Sequence, residues 1–127
     1  MRKENYQNVV IGSGEAGKFL AWNLAHQGEP TIVVERGPLG GACPNVACLP
    51  SKNVIHSAKV ASLLRRGKEF GVLTGSTSLD MRGVVRRKQL MIDGLADLHN
   101  QRFNNSGAEV VLGEGRFVED RTIAVEL

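Results

Sequence analysis

Residues 8–36 read NVVIGSGEAGKFLAWNLAHQGEPTIVVER, and the organisation of the chain follows from this stretch. NVVIG (8–12) is a short β-branched apolar run that stops at a glycine, the pattern of a buried strand. The segment 14–28 then carries Ala16, Phe19, Leu20, Leu24 and Ala25 at helical spacing, with Gly28 as its C-terminal stop. PTIVVER (30–36) is a second buried run of the first kind. Two apolar strands joined by a helix make a βαβ unit, because the helical crossover lets both strands run in the same direction. The fold class expected is therefore α/β.

The turn between the first strand and the helix, Gly12-Ser13-Gly14-Glu15-Ala16-Gly17, fits G-x-G-x-x-G. In a chain with 15 glycines the pattern alone arises easily, but here a strand precedes it and a helix follows. The first glycine permits the tight turn, the second lets the backbone approach a pyrophosphate, and the third allows close helix–strand packing. A phosphate there would meet free N–H groups and the positive end of the helix. Glu35, 23 residues after Gly12, falls where a carboxylate would accept hydrogen bonds from a ribose. An acid at that place disfavours a 2′-phosphate by like-charge repulsion. The competing reading is a βαβ unit that binds nothing.

Both cysteines of the chain lie in GGACPNVACLPSK (40–52). Four residues separate Cys43 from Cys48, unlike the two-residue spacing of zinc ribbons and thioredoxin motifs, and there is no second cysteine pair to complete a thiolate site. His26, His56 and His99 are widely scattered and read as surface or helix residues rather than ligands. A pair this far apart at the start of a helix can come within bonding reach if the first turn is distorted. Pro44 and Pro50 favour such a distortion. A helix N-terminus and nearby Lys52 are expected to lower the thiol pKa and speed exchange. The alternative is two thiols buried as small hydrophobes.

The rest of the chain reads as a helix over 51–66 with Val54, Ile55, Ala58, Ala61 and Leu64 on its apolar side, then a Gly/Ser/Thr-rich loop at 67–79. A long helix over 80–103 presents Val84, Met91, Leu95 and Leu98, either as one amphipathic face or as a coiled-coil seam. Residues 104–127 read as two or three antiparallel strands. Arg65-Arg66-Gly67-Lys68 and Arg86-Arg87-Lys88 are basic. Aromatic residues are only 5% and are not interleaved with these clusters, so solvated helix faces are expected and no nucleic-acid partner. The apolar run behind MRKENYQ is too short for a signal peptide, and no stretch approaches the length of a membrane span. A cytoplasmic location is expected, where paired cysteines are more often catalytic or metal-binding than structural.

The glycine loop and the cysteine segment together resemble the flavoprotein disulfide reductases, the class I pyridine nucleotide-disulfide oxidoreductases. In that family the cysteine pattern is close to G-G-T-C-x-N-x-G-C-x-P-S-K. The resemblance runs along essentially the whole chain, including Gly113-Glu114-Gly115-Arg116-Phe117. It implies a Rossmann-like βαβ FAD-binding domain with an inserted helical pair and a C-terminal antiparallel hairpin or meander. FAD, rather than NAD, would occupy the first dinucleotide site. Gly12, Ser13, Gly14, Ala16 and Gly17 would cradle its pyrophosphate, and Glu35 and Arg36 would lie at the adenosine ribose. Gly41, Ala42 and Cys43 would also contact FAD, Lys52 would reach its N5 region, and Gly115 would pass near the adenine. Cys43 and Cys48 would form a redox disulfide, with Cys48 next to the flavin and Cys43 exchanging with substrate. NAD(P)H would be the electron donor, and a small-molecule disulfide or a metal ion the acceptor.

Two positions depart from the pattern. Ala42 replaces the usual threonine and lacks its hydroxyl, and Ala47 replaces a glycine, which would be uncomfortable if the position needs positive φ. Both resemble the mercuric reductase-like branch, and Lys52 after Pro50-Ser51 is more similar to the dihydrolipoamide and mercuric reductases than to glutathione reductase. The family's NAD(P)H-binding domain and its dimerisation domain, with a His–Glu acid–base pair acting across a homodimer, have no counterpart in 1–127. The chain is thus expected to be an N-terminal part of an FAD-binding domain, inactive alone. The alternative is a non-catalytic FAD-binding or interaction module of the same fold.

Overall fold

A computed structural model describes residues 3–127. Strand β1 (Asn8–Ile11), helix α1 (Glu15–His26) and strand β2 (Thr31–Glu35) form the βαβ unit at nearly the boundaries read from the sequence. A one-turn helix, α2 (Ala42–Asn45), leads into α3 (Cys48–Arg65) and a single 3-10 turn at Gly67–Phe70. Helix α4 (Met81–Ser106) is followed by β3 (Glu109–Leu112), β4 (Glu114–Glu119) and β5 (Thr122–Glu126).

Strands β1, β2 and β3 form one parallel sheet with β2 in the middle. Being central, β2 is covered on both faces, so Thr31, Ile32, Val33 and Val34 are all buried and its sequence is a continuous apolar run. Strand β3 corrects the expectation of antiparallel strands throughout 104–127. It pairs parallel to β2, with Val33 opposite Val110. The 26-residue helix α4 carries the chain back along the sheet, and a crossover of that length joins parallel neighbours. Only β4 and β5 form the expected antiparallel hairpin, with Gly115 opposite Val125.

Ala21, Val33, Phe103 and Ala108 form the buried core, with Val10, Trp22, Ala25, Leu39 and Val110 packed around it. Full burial of side chains such as Val33 and Phe103 contributes about 1.5–3 kcal/mol each. Helix α4 starts at Asp80, whose carboxylate accepts a hydrogen bond from the Arg82 amide at 3.0 Å. It runs through Asn104 and Asn105 to Ser106, beyond the expected end. Its buried stripe is Val84, His99, Phe103 and Ser106, whereas Leu98 is exposed. The heptad reading fails there because a straight helix advances 3.6 residues per turn, carrying the stripe from Leu95 to His99 and Phe103.

Helix α3 also turns a different side inward. Leu49, Asn53, Ser57, Ala61 and Ser62 are its half-buried positions, while Val54, Ile55 and Leu64 are exposed. Arg87 of α4 fixes this orientation by donating to the Asn53 carbonyl oxygen and, at 2.8 Å, to Ser57 Oγ. Among the described residues no helix is long and apolar enough to cross a membrane.

Candidate functional site

The site is built at the carboxyl ends of β1 and β2, where ligands bind open parallel sheets. Gly12 has φ +90°, a left-handed conformation that turns the chain out of β1, and its amide donates to the Val34 carbonyl at 2.8 Å. A Cβ on Gly17 would collide with the Gly12 carbonyl oxygen, so the third glycine is required by packing of α1 on the turn. A Cβ on Gly14 would meet nothing within 4 Å. That backbone is open to approach, and no side chain caps the first turn of α1. Ala16, in that first turn, is exposed.

Glu35 organises the loop rather than projecting free of it. Its Oε2 accepts from the Ser13 amide at 2.7 Å and from Ser13 Oγ at 2.6 Å, and its Oε1 accepts from the Gly37 amide at 2.8 Å. Partial burial alone would raise its pKa. The hydrogen bonds from Ser13 and Gly37 outweigh that and hold it below the usual carboxylate range. A carboxylate offers about four acceptor sites, so capacity for a further donor remains. Ile11, Gly12, Val34, Glu35, Arg36 and the Gly113–Gly115 backbone line a groove of about 250 Å³ at this sheet end. Gly115 rests on the Val34 side chain, and exposed Arg36 pairs with exposed Glu114 at 3.5 Å.

The cysteine segment is seated directly on the glycine loop. Gly41 has φ +79°, and a Cβ there would lie 2.6 Å from the Gly14 Cα. Beside it, the Gly40 amide donates to Ser13 Oγ at 3.0 Å. Asn45 Nδ2 donates to the Leu39 and Gly41 carbonyls at 3.0 and 2.8 Å, closing the turn before Cys43. Asn45 was not among the residues singled out from the sequence; its place in a Gly-Gly-x-Cys-Pro-Asn turn was the available signal.

Between the cysteines the chain makes one helical turn, breaks at Val46–Ala47 and restarts at Cys48. This is the distorted helix start expected from the two prolines, both of which are buried. Ala47 has φ −119°, so the glycine usual at that position is not required here for its backbone freedom. Ala42 and Lys52 are exposed. Both thiols are free, Cys43 half-buried and Cys48 exposed.

The expectation of a lowered thiol pKa does not hold for Cys43. The neighbouring Cys48 thiol pushes the Cys43 pKa up, and burial and the Glu15 carboxylate push the same way. The cation opposing them is Lys18 of α1, not Lys52.

His99, expected at the surface or in a helix, lies in α4. It is buried, its Nδ1 lies 2.7 Å from the Leu95 carbonyl oxygen, and its Nε2 lies 3.1 Å from Lys18 Nζ. Its ring stacks on Trp22 and backs Gly40. Burial and then Lys18 lower its pKa, consistent with a neutral ring donating from Nδ1 and accepting at Nε2. Its position four residues beyond Leu95 and four before Phe103 was the sign of burial that composition concealed.

A parallel sheet with a glycine turn, an acidic residue ending the second strand and a cysteine pair on the same loop cluster defines a dinucleotide-binding type of α/β domain with two thiols at its edge. The chain belongs to the pyridine nucleotide-disulphide oxidoreductase family, whose sequence profile matches residues 6–126. It is 37% identical over 113 residues to dihydrolipoyl dehydrogenase of Bacillus subtilis (strain 168), covering 89% of this chain and 24% of that protein. It is 29% identical over 125 residues to mercuric reductase of Bacillus cereus, covering 95% and 19%. The solved Cu(II) complex of the HOCl-induced flavoprotein disulfide reductase RclA from Escherichia coli matches with a TM-score of 0.81 at 25% identity. That match covers 98% of this chain and 25% of that one. The chain spans about a quarter or less of the length of these relatives.

Proposed function

We propose that these residues form the FAD seat and thiol centre of an NAD(P)H-dependent oxidoreductase that reduces a small-molecule disulfide or a metal ion. The observation carrying this reading is the contact of Gly41 with Gly14. It joins the glycine loop and the cysteine turn through bare backbone, at a point a side chain would fill. Gly12, Ser13, Gly14, Ala16 and Gly17 would hold the FAD pyrophosphate, and Glu35 and Arg36 its ribose. Gly115 would border the adenine, and Gly41, Ala42, Cys43 and Lys52 would lie along the flavin end. The open Gly14 backbone, the uncapped α1 and the groove beside Glu35 fit such a group. Bound FAD would supply the two-electron chemistry linking NAD(P)H to the cysteines.

The protein's own part is thiol–disulfide exchange. With the pair reduced, Cys43 loses its proton to a base and attacks one sulfur of the substrate disulfide, releasing the other as a thiolate. Cys48 then attacks Cys43 in the mixed disulfide, closing the Cys43–Cys48 bond and releasing the second thiol. Two electrons pass to the substrate, and the two cysteine protons balance the two product thiols. Because the raised pKa of Cys43 disfavours its thiolate, this step calls for a base. In a homodimer it would be the His–Glu pair of a dimerisation domain that these residues do not include.

The 127-residue chain reconstituted with FAD and passed through gel filtration is expected to emerge yellow, with one flavin per chain. Gly41→Val is expected to weaken that binding at least about ten-fold, because its side chain enters the Gly14 contact. A folded, colourless wild-type chain overturns the flavin assignment. Thiols that stay fully reactive to Ellman's reagent after mild oxidation overturn the disulfide assignment.

A further inference from the structure

A second group of charged residues lies beneath the cysteine turn and has no part in the scheme above. Lys18, on α1, is buried at 4% exposure. Its ammonium donates to Glu15 Oε1 at 2.6 Å and lies 3.1 Å from His99 Nε2. Burying a lysine is costly unless it is paired and hydrogen-bonded, and here both conditions are met by residues from two different helices. His99 carries the connection to the cysteine turn, since its ring fills the space where Gly40 would bear a Cβ. Gly41 next to it sits on Gly14, the residue immediately before Glu15. The Glu15–Lys18 pair and Cys43 are thereby held on either side of one backbone contact.

We infer that Lys18, gripped by Glu15 and His99, is a positioning residue that holds the cysteine turn against α1 and sets the reactivity of the Cys43 thiol. The inference rests on reading Cys43 as the exchanging thiol. Lys18 favours the Cys43 thiolate and Glu15 disfavours it. The other group acting on Cys43 is the Cys48 thiol of α3; from α4, His99 and Arg102 act on the cluster through Lys18 and His99. The two members of the pair thus push the thiol in opposite directions.

The test is the rate of iodoacetamide alkylation at fixed pH in the 127-residue chain carrying Cys48→Ser, so that Cys43 is the one thiol. Lys18→Met is expected to slow alkylation about three-fold, and Glu15→Gln to speed it by about the same factor. Lys18→Arg restores the charge and is expected to return the rate to within about two-fold of the parent. Lys18→Met and Glu15→Gln moving the rate in the same direction, or not at all, overturns the inference. If circular dichroism shows Lys18→Met to be unfolded, Glu15→Gln decides alone, since its side chain is half exposed, and an unchanged or slower rate overturns it. No flavin is present in this measurement. Failure of FAD binding therefore leaves the result standing, and failure here leaves the flavin assignment standing.

Discussion

At the carboxyl end of the sheet, backbone packs on backbone: Gly17 on Gly12, Gly41 on Gly14, and buried Ser13 held by Glu35. On the outer side of α3 the reverse holds. Val54, Ile55, Leu63 and Leu64 face solvent, Ile55 at 64% exposure, and an apolar groove opens among Val60, Leu63, Leu64, Phe70 and Val72. The two regions have different sources of order. The sheet end depends on residues that allow close approach, where an added methyl group has nowhere to go. The outer side of α3 is held mainly by its polar inner stripe, so its apolar side chains contribute little to the stability of these 127 residues. Specificity of structure here comes from steric exclusion and satisfied hydrogen bonds more than from apolar area.

That contrast can be broken by substitution. Gly17→Val should be the most damaging change, destabilising by about 3 kcal/mol or more in urea unfolding, because the new side chain meets a carbonyl oxygen that cannot move without dismantling the turn. A stable Gly17→Val protein would show that the turn is looser than its contacts indicate. Glu35→Ala comes next, at about 1–3 kcal/mol, since it leaves the buried amide and hydroxyl of Ser13 without their acceptor.

The same carboxylate sets a pH dependence. Its folded pKa is depressed below the ordinary value of 4.5, so its contribution to stability is fully present above that value and is lost as pH falls through the folded pKa. Urea midpoints measured from pH 6 downward should therefore fall less steeply in Glu35→Gln than in the wild type, and parallel curves would remove the effect. The smallest change is expected for Ile55→Ser on the open side of α3, within about 0.5 kcal/mol of wild type. A larger loss there would show that the outer side of the helix carries stability after all.

The parts of the molecule that could be read in advance are those with a local cause. A β-branched run that ends in glycine and a helix-period segment behind it specify βαβ whatever surrounds them, and β1, α1 and β2 lie where that pattern put them. The direction of β3 had no such local sign. EVVL pairs equally well either way, and it is the length of α4 and the vacant edge of β2 that make it parallel. The single turn α2 was invisible for another reason, since four residues including a proline carry no periodicity. Among site residues, the glycines, Glu35 and the cysteines were legible because each sits in a motif of fixed spacing. Lys18 and His99 were not, because a lysine and a histidine 81 positions apart form a pair only when α1 and α4 pack side by side.

By itself the amino-acid sequence determined the strand–glycine turn–helix–strand order, the acid that closes the second strand and the placing of two thiols on one short segment. These are short-range consequences of chain stereochemistry, settled within a few residues. The tertiary structure alone decided which side of α3 and α4 is buried, which way β3 runs, and that Lys18 of α1 meets His99 of α4. Each of those depends on distant segments meeting, and burial turns an ordinary lysine and histidine into a fixed pair only after that meeting has occurred.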